Sequence, residues 1–172
     1  MAKDFLILLI IITILCGLIF GWLRLSFFDT SYAEFLGEAL QLHLASPVYQ
    51  PASSAFFGSL IVYGRILLLI IILAHLPMGF IGSFFLLFLR AMAVGFSAGV
   101  FMMAFEGRGV GLLFMLVVLQ NFIMFPIYCG LLSQGIRRRR MTIKALLVGI
   151  AAVLVVSAYE AFMLPLFIPF FL

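Results

Sequence analysis

Apolar residues along this chain come in long runs rather than in alternation or in narrow stripes. The runs fall near residues 5–23, 54–76, 80–105, 110–136 and 142–167. Each approaches or exceeds the roughly 20 residues that a helix needs to cross a bilayer. The pattern predicts an all-α, multi-pass transmembrane bundle of about five spans, a single domain over residues 1–172. The stretch 29–53 breaks the pattern. There Ala33, Leu36, Leu40 and Leu44 recur at helical spacing with Glu34, Glu38 and Gln41 between them. That is the signature of a short amphipathic helix lying on a membrane surface. Asp29, Thr30 or Ser31 could cap it, and Ser46-Pro47 and Gln50-Pro51 end it. Pro77-Met78-Gly79 and Glu106-Gly107-Arg108-Gly109 predict turns between later spans. The first run has the basic start of a signal peptide but no small-residue cleavage site, and Trp22 and Arg24 follow it, so a retained helix is expected.

Composition sharpens this picture. The chain is 67% hydrophobic and 9% charged, with a mean hydropathy of +1.38. Soluble domains are about half apolar and a quarter charged, so a soluble catalytic domain is excluded. The net charge of +4 matters less than its placement. Lys3, Arg137, Arg138, Arg139, Arg140 and Lys144 fall on one side of a five-span arrangement. Arg24 and Arg108 fall on the other, beside Asp29, Glu34, Glu38 and Glu106. Basic loops stay cytoplasmic, so the N-terminus is expected inside and the C-terminus outside. No basic and aromatic stripe points to nucleic acid. The four-arginine run reads as a topology anchor touching anionic membrane lipid.

Three ionisable residues interrupt apolar runs: Arg65, Arg90 and Glu160. A central arginine costs about 2.5–3.5 kcal/mol to insert, so such residues should face the bundle interior. Glu160 is the one carboxylate within a run, and pairing with Arg65 is the expectation, against an alternative in which the arginines snorkel to lipid phosphates. Arg90 also divides the third run, which leaves open a re-entrant hairpin over 77–90. Gln120 and Asn121 lie near the middle of the fourth run, and Pro126 withholds a donor from the Phe122 carbonyl. Together they predict a polar, kinked patch, either interhelical glue or the lining of a solute path. Gly17 and Gly21 form one G-x-x-x-G pair, and Ala91, Gly95 and Gly99 form a small-residue face. Such faces suit close helix contact, within the chain or in a homodimer.

No catalytic or metal chemistry is legible. His43 and His75 stand alone, Cys16 and Cys129 lie singly in apolar runs, and no H-E-x-x-H, G-x-S-x-G or P-loop pattern occurs. No cofactor or enzyme activity is expected.

Three motifs nevertheless carry a resemblance. They are Phe88-Leu-Arg-Ala-Met-Ala-Val-Gly-Phe-Ser-Ala-Gly-Val-Phe101, then Gly109-Val-Gly-Leu-Leu-Phe with Leu119-Gln-Asn-Phe-Ile-Met-Phe-Pro-Ile127, and Ser157-Ala-Tyr-Glu-Ala-Phe-Met-Leu-Pro165. In this order and spacing, over 63–165, the chain resembles the stage II sporulation protein M family of endospore-forming bacteria. The Gln-Asn followed by proline and the Tyr-Glu-Ala are the most specific parts, and a related pattern occurs in wider membrane families. The resemblance implies a non-enzymatic scaffold in the mother-cell septal membrane that recruits the peptidoglycan hydrolases, stage II sporulation proteins P and D, for engulfment. Partner contacts are then expected on the outer side, at Glu34, Glu38, Glu106 and Arg108. A small channel or transporter using Gln120 and Asn121 is the alternative.

Overall fold

In a computed structural model, residues 3–27, 30–45, 51–76, 79–136 and 142–167 are described. They are helical almost throughout. Helix α1 spans Lys3–Phe27, α2 Thr30–Ala45, α3 Ala52–His75 and α4 Gly79–Leu113. A π-helical segment, Phe114–Val118, leads into α5, Leu119–Ile136. Helix α6, Ile143–Ala158, passes through a second π segment, Tyr159–Met163, into the short α7, Leu164–Phe167. Among the described residues, five stretches are long and apolar enough to cross a membrane: Phe5–Leu25, Ala52–His75, Ile81–Phe105, Val110–Gly135 and Ile143–Leu166. The chain therefore has the build of a multi-pass membrane protein.

The outward faces agree with this. Phe5, Ile11, Ile19, Phe57, Leu68, Phe122, Leu147 and Phe162 are all exposed. A water-soluble monomer does not display contiguous apolar surface on that scale. The main interior cluster draws on every span and is built on Leu6, Tyr63, Leu67, Leu87, Met124, Tyr128 and Val156.

Helices α1 and α4 make the most extensive contact, and glycine makes it possible. A Cβ on Gly17 would lie 2.7 Å from the Ala91 Cβ, and one on Gly95 would lie 2.1 Å from the Leu18 carbonyl oxygen. On Gly21 it would lie 2.0 Å from the Met92 oxygen, and on Gly99 2.0 Å from Leu25 Cδ1. The two small-residue faces are thus pressed against each other. The Ala91, Gly95 and Gly99 face is used inside the chain, and a homodimer would need another surface.

The third run forms a candidate span as expected, and α4 is continuous from Gly79 through Arg90, with no break for the re-entrant alternative. Other features of the backbone differ from expectation. The turn at 106–109 is wound as helix, since α4 runs on to Leu113. The chain still reverses there, because Arg90 and Asn121 are hydrogen-bonded, whereas a straight helix would hold them roughly 46 Å apart. Phe101 and Leu112 share a small apolar cluster and bracket the reversal. Finally, α5 remains helical through Pro126, and the irregular backbone sits earlier, at 114–118.

Helix α2 lies against the end of α4. Gln41 donates to the Ala104 carbonyl at 2.6 Å, and a Cβ on Gly37 would meet Ala104 at 3.3 Å. Glu34, Phe35, Glu38 and Leu42 are left exposed. At the other end of the molecule, Thr142 caps α6 by accepting from the Ala145 N–H. Residues 137–140, the predicted topology anchor, lie outside the described residues.

Candidate functional site

Six polar residues between the spans, Ser59, Tyr63, Arg90, Gln120, Asn121 and Glu160, meet in one cluster. Ser59 and Tyr63 stand four residues apart, so they share one face of α3. Glu160 comes from the second π segment and accepts a hydrogen bond from each, with Tyr63 Oη at 2.6 Å from Glu160 Oε1. The same phenol lies 2.9 Å from the Gln120 side-chain oxygen. A hydroxyl has one proton to give. With that proton directed to Glu160, the Gln120 amide turns its N–H toward the phenol oxygen.

Arg90 of α4 completes the cluster. Its Nε donates to Asn121 Oδ1 at 3.2 Å, and its guanidinium lies over the Tyr63 ring, 5.2 Å from the centroid. Those contacts are to an amide and a phenol, not to a carboxylate. A desolvated cation–π contact supplies about 2 kcal/mol, and an interhelical hydrogen bond in a membrane about 0.6–1.7. Their sum is comparable with the insertion cost of a central arginine. Tyr63 thus sits between the half-buried cation and the half-buried carboxylate of the cluster.

The two π segments are tied into the same site. In the first, the Leu119 N–H reaches back to the Phe114 carbonyl, so the Met115 carbonyl loses its ordinary α-helical donor. Tyr159, from the second π segment, donates its hydroxyl to Met115 O at 3.2 Å. Asn121 donates its amide to the Val117 carbonyl at 2.7 Å. The second π segment has a local cause. Pro165 has no N–H for the Ala161 carbonyl and its ring crowds that oxygen, and the turn just before it widens. The matching position after the first segment is Gln120, so no proline explains it. π bulges favour functional sites, and here two of them are joined by one tyrosine.

The hydroxyls continue inward. Ser83 lies seven residues before Arg90, and Tyr128 seven after Asn121. On antiparallel helices this places them in facing positions two turns below that pair. Ser83, Tyr128 and Ser157 are fully buried, and their hydroxyls have no hydrogen-bond partner among the described residues.

The site residues expected from sequence are distributed as follows. Gln120, Asn121, Arg90 and Glu160 lie together. Arg65 does not join them: it is exposed, two residues beyond Tyr63 and therefore on the opposite side of α3. The Glu160–Arg65 pair is not formed, and Ser59 and Tyr63 take its place. Pro126 is exposed and lines a groove beside α1 instead of the polar cluster. Glu34 and Glu38 are exposed, whereas the side chains of Glu106 and Arg108 lie outside the described residues. Ser59 and Tyr63 are not singled out by the sequence, and Tyr159 enters only as part of the Tyr-Glu-Ala motif. Their signal was hydroxyls on the inward face of an apolar run, which is weaker than a charge.

No group of three or more histidine, cysteine or acidic residues that could hold a metal occurs among the described residues. No family model matches the chain, and no curated protein or solved structure matches it.

Proposed function

We propose that this chain is a non-enzymatic membrane scaffold of the engulfment complex of endospore formation. It localises the peptidoglycan hydrolases, stage II sporulation proteins P and D, at the septal membrane of the mother cell. In this reading the N-terminus lies inside, the C-terminus lies outside, and α2 rests at the outer surface.

The observation that carries the reading is where the resemblance motifs go. Arg90, Gln120 with Asn121, and Glu160 come from three separate motifs. Tyr63 and Arg90 join them into one network across α3, α4, α5 and the second π segment. Residues used to bond one helix to another serve to hold a shape. The attachment of α2 to α4 supports the outer docking face, since it holds Glu34 and Glu38 outward.

The test is a pull-down of the tagged chain from sporulating cells in mild detergent. Recovery of a peptidoglycan hydrolase supports the scaffold, and its absence under conditions that preserve the folded chain rejects it. A small channel or transporter remains the second reading. It is favoured by the two π segments and by the buried hydroxyls of Ser83, Tyr128 and Ser157, which have no partner among the described residues. Solute flux in proteoliposomes of the purified chain distinguishes it.

A further inference from the structure

Glu160 is the one carboxylate within the five candidate spans. Its two oxygens are met by the hydroxyls of Ser59 and Tyr63 and not by a guanidinium. Arg90 stands over the Tyr63 ring and bonds Asn121, so its charge is not in contact with the carboxylate. A carboxylate at membrane depth with neutral partners alone is costly.

Ser157 supplies a further oxygen on the same side. Gly149, Val153, Val156 and Ser157 are buried, and with Glu160 they follow i, i+4, i+7, i+8, i+11 spacing, so all five share one inward stripe. A Cβ on Gly149 would lie 3.1 Å from Leu67 Cδ1, while Ser59 bonds Glu160, so α3 and α6 run antiparallel. That register sets Ser157 level with the turn of α3 between Ser59 and Tyr63. A helical serine often bonds back to the carbonyl four residues earlier. Ser157 does not, and its fully buried hydroxyl has no partner among the described residues. The backbone adds another oxygen. The Leu164 N–H goes to the Tyr159 carbonyl, and Pro165 has no N–H, so the Glu160 carbonyl loses both of its helical donors.

A carboxylate, two hydroxyls and a freed carbonyl are all hard oxygen ligands, which suit a hard cation. One carboxylate balances one positive charge, whereas calcium takes six to eight oxygens. The Ser59 oxygen keeps a lone pair for the ion while its proton stays on Glu160. Backbone carbonyls released where a membrane helix is interrupted serve as ligands for such ions. We infer that Glu160, Ser59 and Ser157 form a binding site for an alkali-metal cation at the second π segment. The inference does not rest on the scaffold reading.

The experiment is reversible unfolding of the purified full chain in mixed micelles, with sodium chloride replacing choline chloride at constant ionic strength. Choline is too large for the site and serves as the reference cation. The unfolding equilibrium constant should fall about tenfold once sodium stands about tenfold above its Kd. Ser157→Ala should keep its stability in choline chloride, because the hydroxyl it removes has no partner among the described residues, and should lose the sodium response. Ser83→Ala removes an equally buried hydroxyl from α4 and should keep that response. Ser59→Ala serves if Ser157→Ala fails to fold. Equal stability of the unaltered chain in the two salts overturns the site. An undiminished sodium response in a folded Ser157→Ala or Ser59→Ala variant overturns it as well, since the ion would then be bound elsewhere.

Discussion

Gly95→Ala adds a single methyl group, yet it should loosen the most extensive helix contact in the molecule. The new Cβ would stand 2.1 Å from the Leu18 carbonyl oxygen and 2.9 Å from the Leu18 Cα and carbonyl carbon. Ordinary contact begins near 3.4 Å, so the clash exceeds an ångström. The opposing atoms are helical backbone, which cannot swing aside as a side chain would. Helices α1 and α4 must therefore separate, weakening the neighbouring contacts of Gly17 with Ala91 and Gly21 with Met92. Overpacking of this kind costs about 1–3 kcal/mol, and backbone contact argues for the upper end. Alanine returns about 1 kcal/mol of helix propensity, which leaves a net loss of about 2. Gly58→Ala is the matched control, since it lies inside α3 and a Cβ there meets nothing within 4 Å. It keeps only the propensity gain. The two variants should differ by about 3 kcal/mol, or more than a hundredfold in the unfolding equilibrium. Reversible unfolding in mixed micelles with a denaturing detergent reads this directly. Equal stability of the two variants would refute the glycine-mediated α1–α4 contact.

Other substitutions probe the rest of the architecture. Arg65→Leu should leave stability unchanged or raise it, because Arg65 is exposed and Glu160 is bonded elsewhere. Arg90→Leu should lower it by about 1–3 kcal/mol by orphaning the buried Asn121 oxygen; the same unfolding assay compares the two, and a larger effect at Arg65 would reverse the assignment. Tyr159→Phe should cost about 0.6–1.7 kcal/mol and speed amide hydrogen exchange within Phe114–Val118, since it removes the bond between the π segments; unaltered exchange there speaks against that tie. Reversing both charges, with Glu34→Lys and Glu38→Lys, should reduce hydrolase recovery in the pull-down without changing stability, and full recovery would remove α2 from the docking surface.

Much of the fold was legible because long apolar runs have few interpretations. Five runs became five candidate spans, and the intervening polar stretch contains α2. The small-residue spacing at Gly17, Gly21, Ala91, Gly95 and Gly99 marked contact faces, but not that they would meet each other. That pairing is decided in three dimensions. The cluster was half legible for a similar reason. Charge and amide in an apolar run are costly enough to be conspicuous, which singled out Arg90, Gln120, Asn121 and Glu160. The partner of Glu160 was misread as Arg65 because opposite charge drew attention from the hydroxyls of Ser59 and Tyr63, which lie on the inward face of α3. Pro126 lies within helical α5, and the π segment at Phe114–Val118 carries no proline or other signal of its own in the sequence. A proline tolerated on a lipid-facing stripe leaves α5 helical, whereas Pro165 stands just past a widened turn.

The account rests on Tyr63 and Glu160 bonding across α3 and the second π segment, because that contact turns separate motifs into one site. A double-mutant cycle with Tyr63→Phe and Glu160→Leu measures it, by unfolding of the purified chain in mixed micelles. The account predicts that the double variant loses about 1 kcal/mol or more less than the sum of the single losses. Losses that add to within about 0.5 kcal/mol would contradict it.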